Sequence, residues 1–196
     1  MASVANAEAI KRTIGIVRSR LDKKPIVVVS ALAKVTDALY NISYAAENCN
    51  LAEAADIIEK LRIRHFELAN ELLGDSASLK ETLAKLKAEF DELQKLVEAV
   101  TVLGELTPRI KARIISKGEL LSSIVIGHAL TESGIATRWL DARRFIITNN
   151  EYLQAEPIIP EIEHRTPAEI DSAFSSSCDA VITQGFVGAT SEGETT

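Results

Sequence analysis

Few of the residues that staple or mark specialised proteins occur in this chain. Its 196 residues include two cysteines, Cys49 and Cys178, far apart and without a Cys-x-x-Cys spacing. Neither a disulfide framework nor a structural zinc is suggested, and a reducing, cytoplasmic setting fits best. Three histidines, His65, His128 and His164, are scattered, and none stands at metal or nucleophile-base spacing from a cysteine. Aromatics make up 5% of the chain, and Trp139 is its single tryptophan, most simply a core residue. Positive charge is never clustered and the net charge is -6, which argues against a nucleic-acid or anionic-membrane partner. The longest apolar runs, such as Ile26-Val27-Val28-Val29, fall far short of a membrane span, and no basic start with an apolar core opens the chain. A soluble, unexported protein is expected.

Hydrophobic residues make up 46% of the chain and charged residues 26%, enough for one sizeable core. After Ser3, the residues Val4, Ala7, Ile10, Ile14, Val17 and Leu21 recur at helical steps, and Lys23-Lys24-Pro25 ends that helix. Ile26–Val29 is a β-branched run without polar alternation, as in a strand buried on both faces. Thr36-Asp37 reads as the cap of a second helix reaching about Asn48. Residues 51–73 and 79–103 form a helical hairpin around Gly74-Asp75-Ser76, with Leu79, Leu83, Leu86, Phe90, Leu93, Val97 and Val100 on one stripe. Thr107-Pro108 opens the next helix, Gly118 interrupts it and Gly134 closes it. Strands are predicted at about 135–140, at Ile146–Thr148 and at Ala180–Gln184, with a helix opened by Thr166-Pro167 before the last. Alternating strands and helices predict an α/β fold, a three-layer α/β/α arrangement with a mainly parallel sheet whose ligands gather at the carboxyl ends of the strands.

Three segments could carry chemistry. Ser30 and Thr36 flank a strand-to-helix turn whose free amides and hydroxyls could hold an anion, although capping by Thr36 is the more economical reading of the pattern alone. Glu119 follows Gly118 at what looks like the start of a helical turn. It is either a solvated glutamate favoured by the helix dipole or an acceptor for a substrate ammonium. Gly185 and Gly188 flank Phe186 after the last strand, as a tight turn or as a place where backbone approaches a ligand.

Taken in order, Ser3-Val4-Ala5, Val28-Val29-Ser30-Ala31 with Val35-Thr36-Asp37, Gly118-Glu119-Leu120-Leu121-Ser122, Trp139-Leu140-Asp141-Ala142-Arg143 and Thr183-Gln184-Gly185-Phe186-Val187-Gly188-Ala189 resemble the aspartate kinases of the amino-acid kinase superfamily. The hairpin at about 51–103 is similar to the helical insertion of those enzymes. The resemblance implies a partial catalytic domain over residues 1–196 and transfer of the ATP γ-phosphoryl group to the side-chain carboxylate of L-aspartate, with Mg2+, towards lysine, threonine and methionine. Ser30 and Thr36 would hold aspartate, Glu119 would meet its ammonium, and Phe186 with Gly185 and Gly188 would wall the pocket. Lys34 stands where many members have glycine.

The family's Lys-Phe-Gly-Gly-Thr-Ser motif should end at Ser3, and its Gly-Arg-Gly-Gly-Ser-Asp segment should follow Thr196. The expectation is therefore an inactive piece of a larger enzyme that binds ATP and Mg2+ only in its parent. The sheet edge left without its first strand should make the piece self-associate as a homo-oligomer. Two rival readings are a non-catalytic interaction module built on the hairpin, and a kinase for another acidic metabolite.

Overall fold

The chain runs α1 (Ala7–Arg18), β1 (Ile26–Val29), α2 (Val35–Glu47), α3 (Leu51–Leu73), α4 (Ala77–Leu103), α5 (Pro108–Glu132), β2 (Thr137–Trp139), α6 (Ile159–Ser175) and β3 (Ala180–Gln184). The computed structural model describes residues 4–152 and 154–185. Its strands form one parallel sheet in the order β1-β3-β2, with Val29 opposite Gln184 and Trp139 opposite Ile182.

Because successive side chains on a strand face opposite ways, β3 feeds two cores. Ala180 and Ile182 join the large core with Ile124, Val125 and Leu121 of α5, while Val181 faces Leu140, Phe145 and Ala173 of α6. Helices thus cover both faces of β3, the α/β layering expected of such strands. Ile26 and Val28 of β1 are exposed, so this edge strand is buried on one face only, correcting the two-sided burial expected of its apolar run.

Local chemistry sets the helix starts. Side-chain oxygens of Asn6, Asn50, Ser76 and Thr107 accept from the backbone N–H of Ala9, Glu53, Leu79 and Ile110, and Pro108 occupies the first helical position of α5. Leu86, Phe90, Leu93, Val97 and Val100 bury the stripe of α4 against Leu61 and Leu68 of α3. These residues share one core with Leu39 and Ile42 of α2 and with Leu121 of α5. The hairpin is continuous with the α/β core rather than set apart from it.

Four further expectations are corrected. First, α5 runs unbroken through Gly118, because the glycine serves a close approach and not a helix end. Second, Ile146–Thr148 joins no sheet among the described residues: Thr148 makes an isolated antiparallel bridge with Pro157, and Ile158 N–H donates to Ile147 O. Third, α6 begins at Ile159 with Pro160 in its first turn, and Pro167 lies inside the helix. There the Thr166 hydroxyl caps nothing and is buried without a hydrogen-bond partner among the described residues. Fourth, α2 starts at Val35 after Lys34, whose φ of 65° is left-handed, so Thr36 sits in the first turn and is not its cap.

Candidate functional site

The carboxyl ends of β1 and β3 lie side by side, and the chain leaves them at Ser30 and Gly185. Gly185 N–H donates to Val29 O at 3.1 Å, which carries the pairing one residue past the strands. α5 crosses these ends. Its Ser122 hydroxyl donates to Ser30 O at 2.7 Å and so fixes the start of the turn into α2. One helical turn earlier, a Cβ on Gly118 would stand 3.0 Å from Ala31 Cβ and 3.1 Å from Leu39 Cδ1. Only a glycine lets α5 come this close without displacing a neighbour.

That approach carries Glu119 to the strand ends. Its Oε2 lies 3.2 Å from where a Cβ of Gly185 would be, with Val28 Cγ1 at 3.3 Å from the same point. Glu119 is half-buried, while Ser30, Thr36 and Gly185 are exposed. The residue sits well inside α5, so the helix-start dipole cannot account for it, correcting the first-turn expectation. The structure therefore brings Ser30, Glu119 and Gly185 together, with Thr36 across the turn in the exposed first turn of α2. Phe186 and Gly188 lie outside the described residues.

Two supporting clusters were given no role from sequence, although Asp141, Arg143 and Gln184 of the first lie in segments that carry the resemblance. Gln184, buried at the end of β3, donates through Nε2 to Asp141 at 2.6 Å, and its Oε1 accepts from Ala142 N–H at 3.2 Å. Arg143 pairs with the same carboxylate at 2.6 Å. Burial pushes the Asp141 carboxyl up, but Arg143 and Gln184 outweigh it and hold the group below its ordinary range. This brace fixes the residue that precedes Gly185.

On the other side, Lys117, 2% exposed, donates to Glu89 at 2.5 Å and to Glu92 at 2.6 Å, locking α5 to α4 two residues before Glu119. Burial raises the Glu92 carboxyl, yet Lys117 and Arg113 bring it below its usual value. The partners are more than twenty positions away in sequence, which is why spacing gives no hint of them.

Cys49 and Cys178 are both free thiols. Among the described residues no three His, Cys, Asp or Glu side chains gather as a metal cluster, and no helix is long and apolar enough to cross a membrane.

Residues 2–196 match the amino acid kinase family. The aspartokinase of Chlamydia trachomatis is 34% identical over 99% of this chain, which covers 40% of that protein. The lysine-sensitive aspartokinase 3 of Escherichia coli is 28% identical over 99% of the chain, again covering 40% of its length. The crystal structure of E. coli aspartokinase III in complex with aspartate and ADP superposes with a TM-score of 0.82 at 26% identity, over 95% of this chain and 39% of that one. The chain spans from 19% to 40% of the length of these and other curated relatives. On these matches the chain belongs to the amino acid kinase family, and its relatives in sequence and in structure are aspartokinases.

Proposed function

We propose that the full-length protein containing this chain is a cytoplasmic aspartate kinase, and that residues of this chain hold its amino-acid substrate. The observation that carries the reading is the Glu119 carboxylate set against Gly185 and the Val29–Ser30 strand end. A zwitterionic acid needs an acceptor for its ammonium and donors for its carboxylates. Glu119 supplies the first, and the hydroxyls of Ser30 and Thr36 with the first-turn amides of α2 supply the second. Gly185, with Phe186 and Gly188 beyond the described residues, is assigned to the pocket wall.

A side-chain carboxylate oxygen of L-aspartate attacks the γ-phosphorus of ATP, the bond to the β-phosphate oxygen breaks, and ADP leaves with aspartyl phosphate as product. That product feeds lysine, threonine and methionine synthesis in the enzymes this chain resembles. In such transfers Mg2+ neutralises charge between two anionic reactants, and no described residue is assigned to it. The task of this chain is to fix the acceptor carboxylate in line, since orientation supplies much of the rate. The 196-residue chain by itself is expected to show no turnover.

The test is ADP release by the full-length protein with L-aspartate, L-glutamate or N-acetylglutamate. Turnover with aspartate alone supports the reading. Preference for either other acid assigns a different acceptor, and no turnover with any of them sinks the proposal.

A further inference from the structure

We propose that Arg64, on the helical hairpin and outside the ring of substrate residues, is a positioning residue that sets the Ser30–Thr36 turn and supplies a standing positive charge behind it. The inference rests on the aspartate-site reading for its effect on substrate, but its structural half stands alone. Arg64 is half-buried on α3, and its Nη1 donates to Ala33 O at 2.7 Å while Nη2 reaches Ala5 O at 3.4 Å. Those carbonyls belong to two separate stretches, 31 and 59 positions away in sequence. One directly precedes Lys34, where the chain bends into α2. The other precedes Asn6, the cap of α1.

The planar guanidinium suits this task, because its donors are fixed relative to one another and one group can register two backbones. Its own anchor is firm: Leu61, His65 and Leu68 on the same helix are buried in the hairpin core. The turn it holds is one that would otherwise relax. Lys34 has a φ of 65°, a left-handed conformation that a side-chain-bearing residue keeps only when its surroundings enforce it. The Ala33 bond from Arg64 and the bond from Val35 N–H to Leu32 O, at 3.0 Å, bracket that residue.

Arg64 also makes no ion pair among the described residues. Among those residues its guanidinium donates to the two carbonyls alone. Arginine stays protonated at any working pH. A half-buried cation answered only by dipoles favours an anion at the turn it supports, and this links the hairpin to recognition of an acidic substrate.

The test compares Arg64→Gln and Arg64→Lys in the full-length protein. Release of the turn predicts that KM for aspartate rises at least about tenfold in Arg64→Gln with KM for ATP unchanged, while the lost structural hydrogen bonds lower the melting temperature. Arg64→Lys, which keeps the charge and a single donor nitrogen, recovers most of the loss. Unchanged aspartate KM, or aspartate and ATP KM shifting together, overturns the proposal. Should the wild-type protein show no aspartate-dependent turnover, the functional reading fails, and amide exchange judges the structural half. Faster exchange at Val35 in Arg64→Gln, with α3 unchanged, supports the positioning role, and unchanged exchange there overturns it. If Arg64→Gln does not fold, Arg64→Lys is measured by the same exchange readout, with a smaller acceleration at Val35 expected and none overturning the idea.

Discussion

Glu119 of α5 and Gly185 after β3 meet so closely that a Cβ on the glycine would stand 3.2 Å from the carboxylate oxygen and 3.3 Å from Val28 Cγ1. The contact depends on a second glycine, Gly118, which brings α5 down onto Ala31 and Leu39. Two glycines thus set where the Glu119 carboxylate lies. Each can be perturbed separately.

Glu119→Gln keeps the shape and removes the charge. A lost charge-assisted hydrogen bond is worth roughly 1.5–3 kcal/mol, so aspartate affinity in the full-length protein should fall at least about tenfold while ATP affinity changes little. Equal aspartate affinity in the variant, measured by calorimetry, returns Glu119 to a structural role.

Gly118→Ala sets two effects against each other. Alanine gains about 1 kcal/mol of helix propensity, but its methyl enters at 3.0 Å from Ala31 Cβ, an atom held by backbone, and overpacking of this kind costs about 1–3 kcal/mol. Steric cost should win. Urea denaturation is expected to show a net loss of about 1 kcal/mol, with a larger loss for Gly118→Val. A more stable alanine variant would mean that α5 can shift freely.

Lys34→Gly acts in the opposite direction. A left-handed residue with a side chain pays about 1–2 kcal/mol that glycine avoids, offset by the roughly 0.5–1 kcal/mol of backbone entropy glycine loses on folding. A small gain, about 0.5 kcal/mol, is expected in the midpoint of denaturation. A loss of stability would show that the Lys34 side chain contributes more than its exposed position suggests.

What was legible in sequence, and what was not, follows from the range of the forces involved. The α3–α4 hairpin was readable because helical stripes are local records of burial, and β1 because a β-branched run favours a strand, although Ile26 and Val28 end up exposed. Gly118 was misread as a break because its propensity penalty is local, whereas the packing that justifies it comes from Ala31 and Leu39, about eighty positions away. Pro167 was misread because a proline favours a helix start, and Pro160, already in the first turn of α6, carries the same signal seven positions earlier. Ser30, Thr36 and Glu119 could be singled out by type and resemblance, and Asp141 lay in a resembling segment without a role, while Arg64 and Lys117 act through tertiary contacts that no spacing records.

The last prediction concerns acid stability and turns on His65, fully buried between the hairpin helices. Its Nδ1 contacts Leu61 O at 2.7 Å, its ring meets Phe90 edge-on at 5.6 Å, and its Nε2 has no hydrogen-bond partner among the described residues. Burial, with the neighbouring Arg64 charge, lowers its pKa from 6.5 to about 4, although the Leu61 carbonyl pulls the other way. A lowered histidine pKa means that the unfolded chain takes up a proton at a pH where the folded chain does not. Stability is therefore undiminished above about pH 6.5, falls as pH drops towards about 4, and levels off below that. The slope contributed is about 1.4 kcal/mol per pH unit, giving a loss of about 3 kcal/mol across the window. Carboxylates such as Asp141 and Glu92, held low by their cationic partners, add their own losses towards the acid end, so the histidine share is read by difference. Urea denaturation of the wild-type chain and of His65→Leu, at intervals from pH 7.5 to pH 4, should show a gap that moves in favour of the variant by about 3 kcal/mol as pH falls. Parallel curves for the two proteins would mean that His65 is protonated in the folded core or solvated on a route the fold does not show.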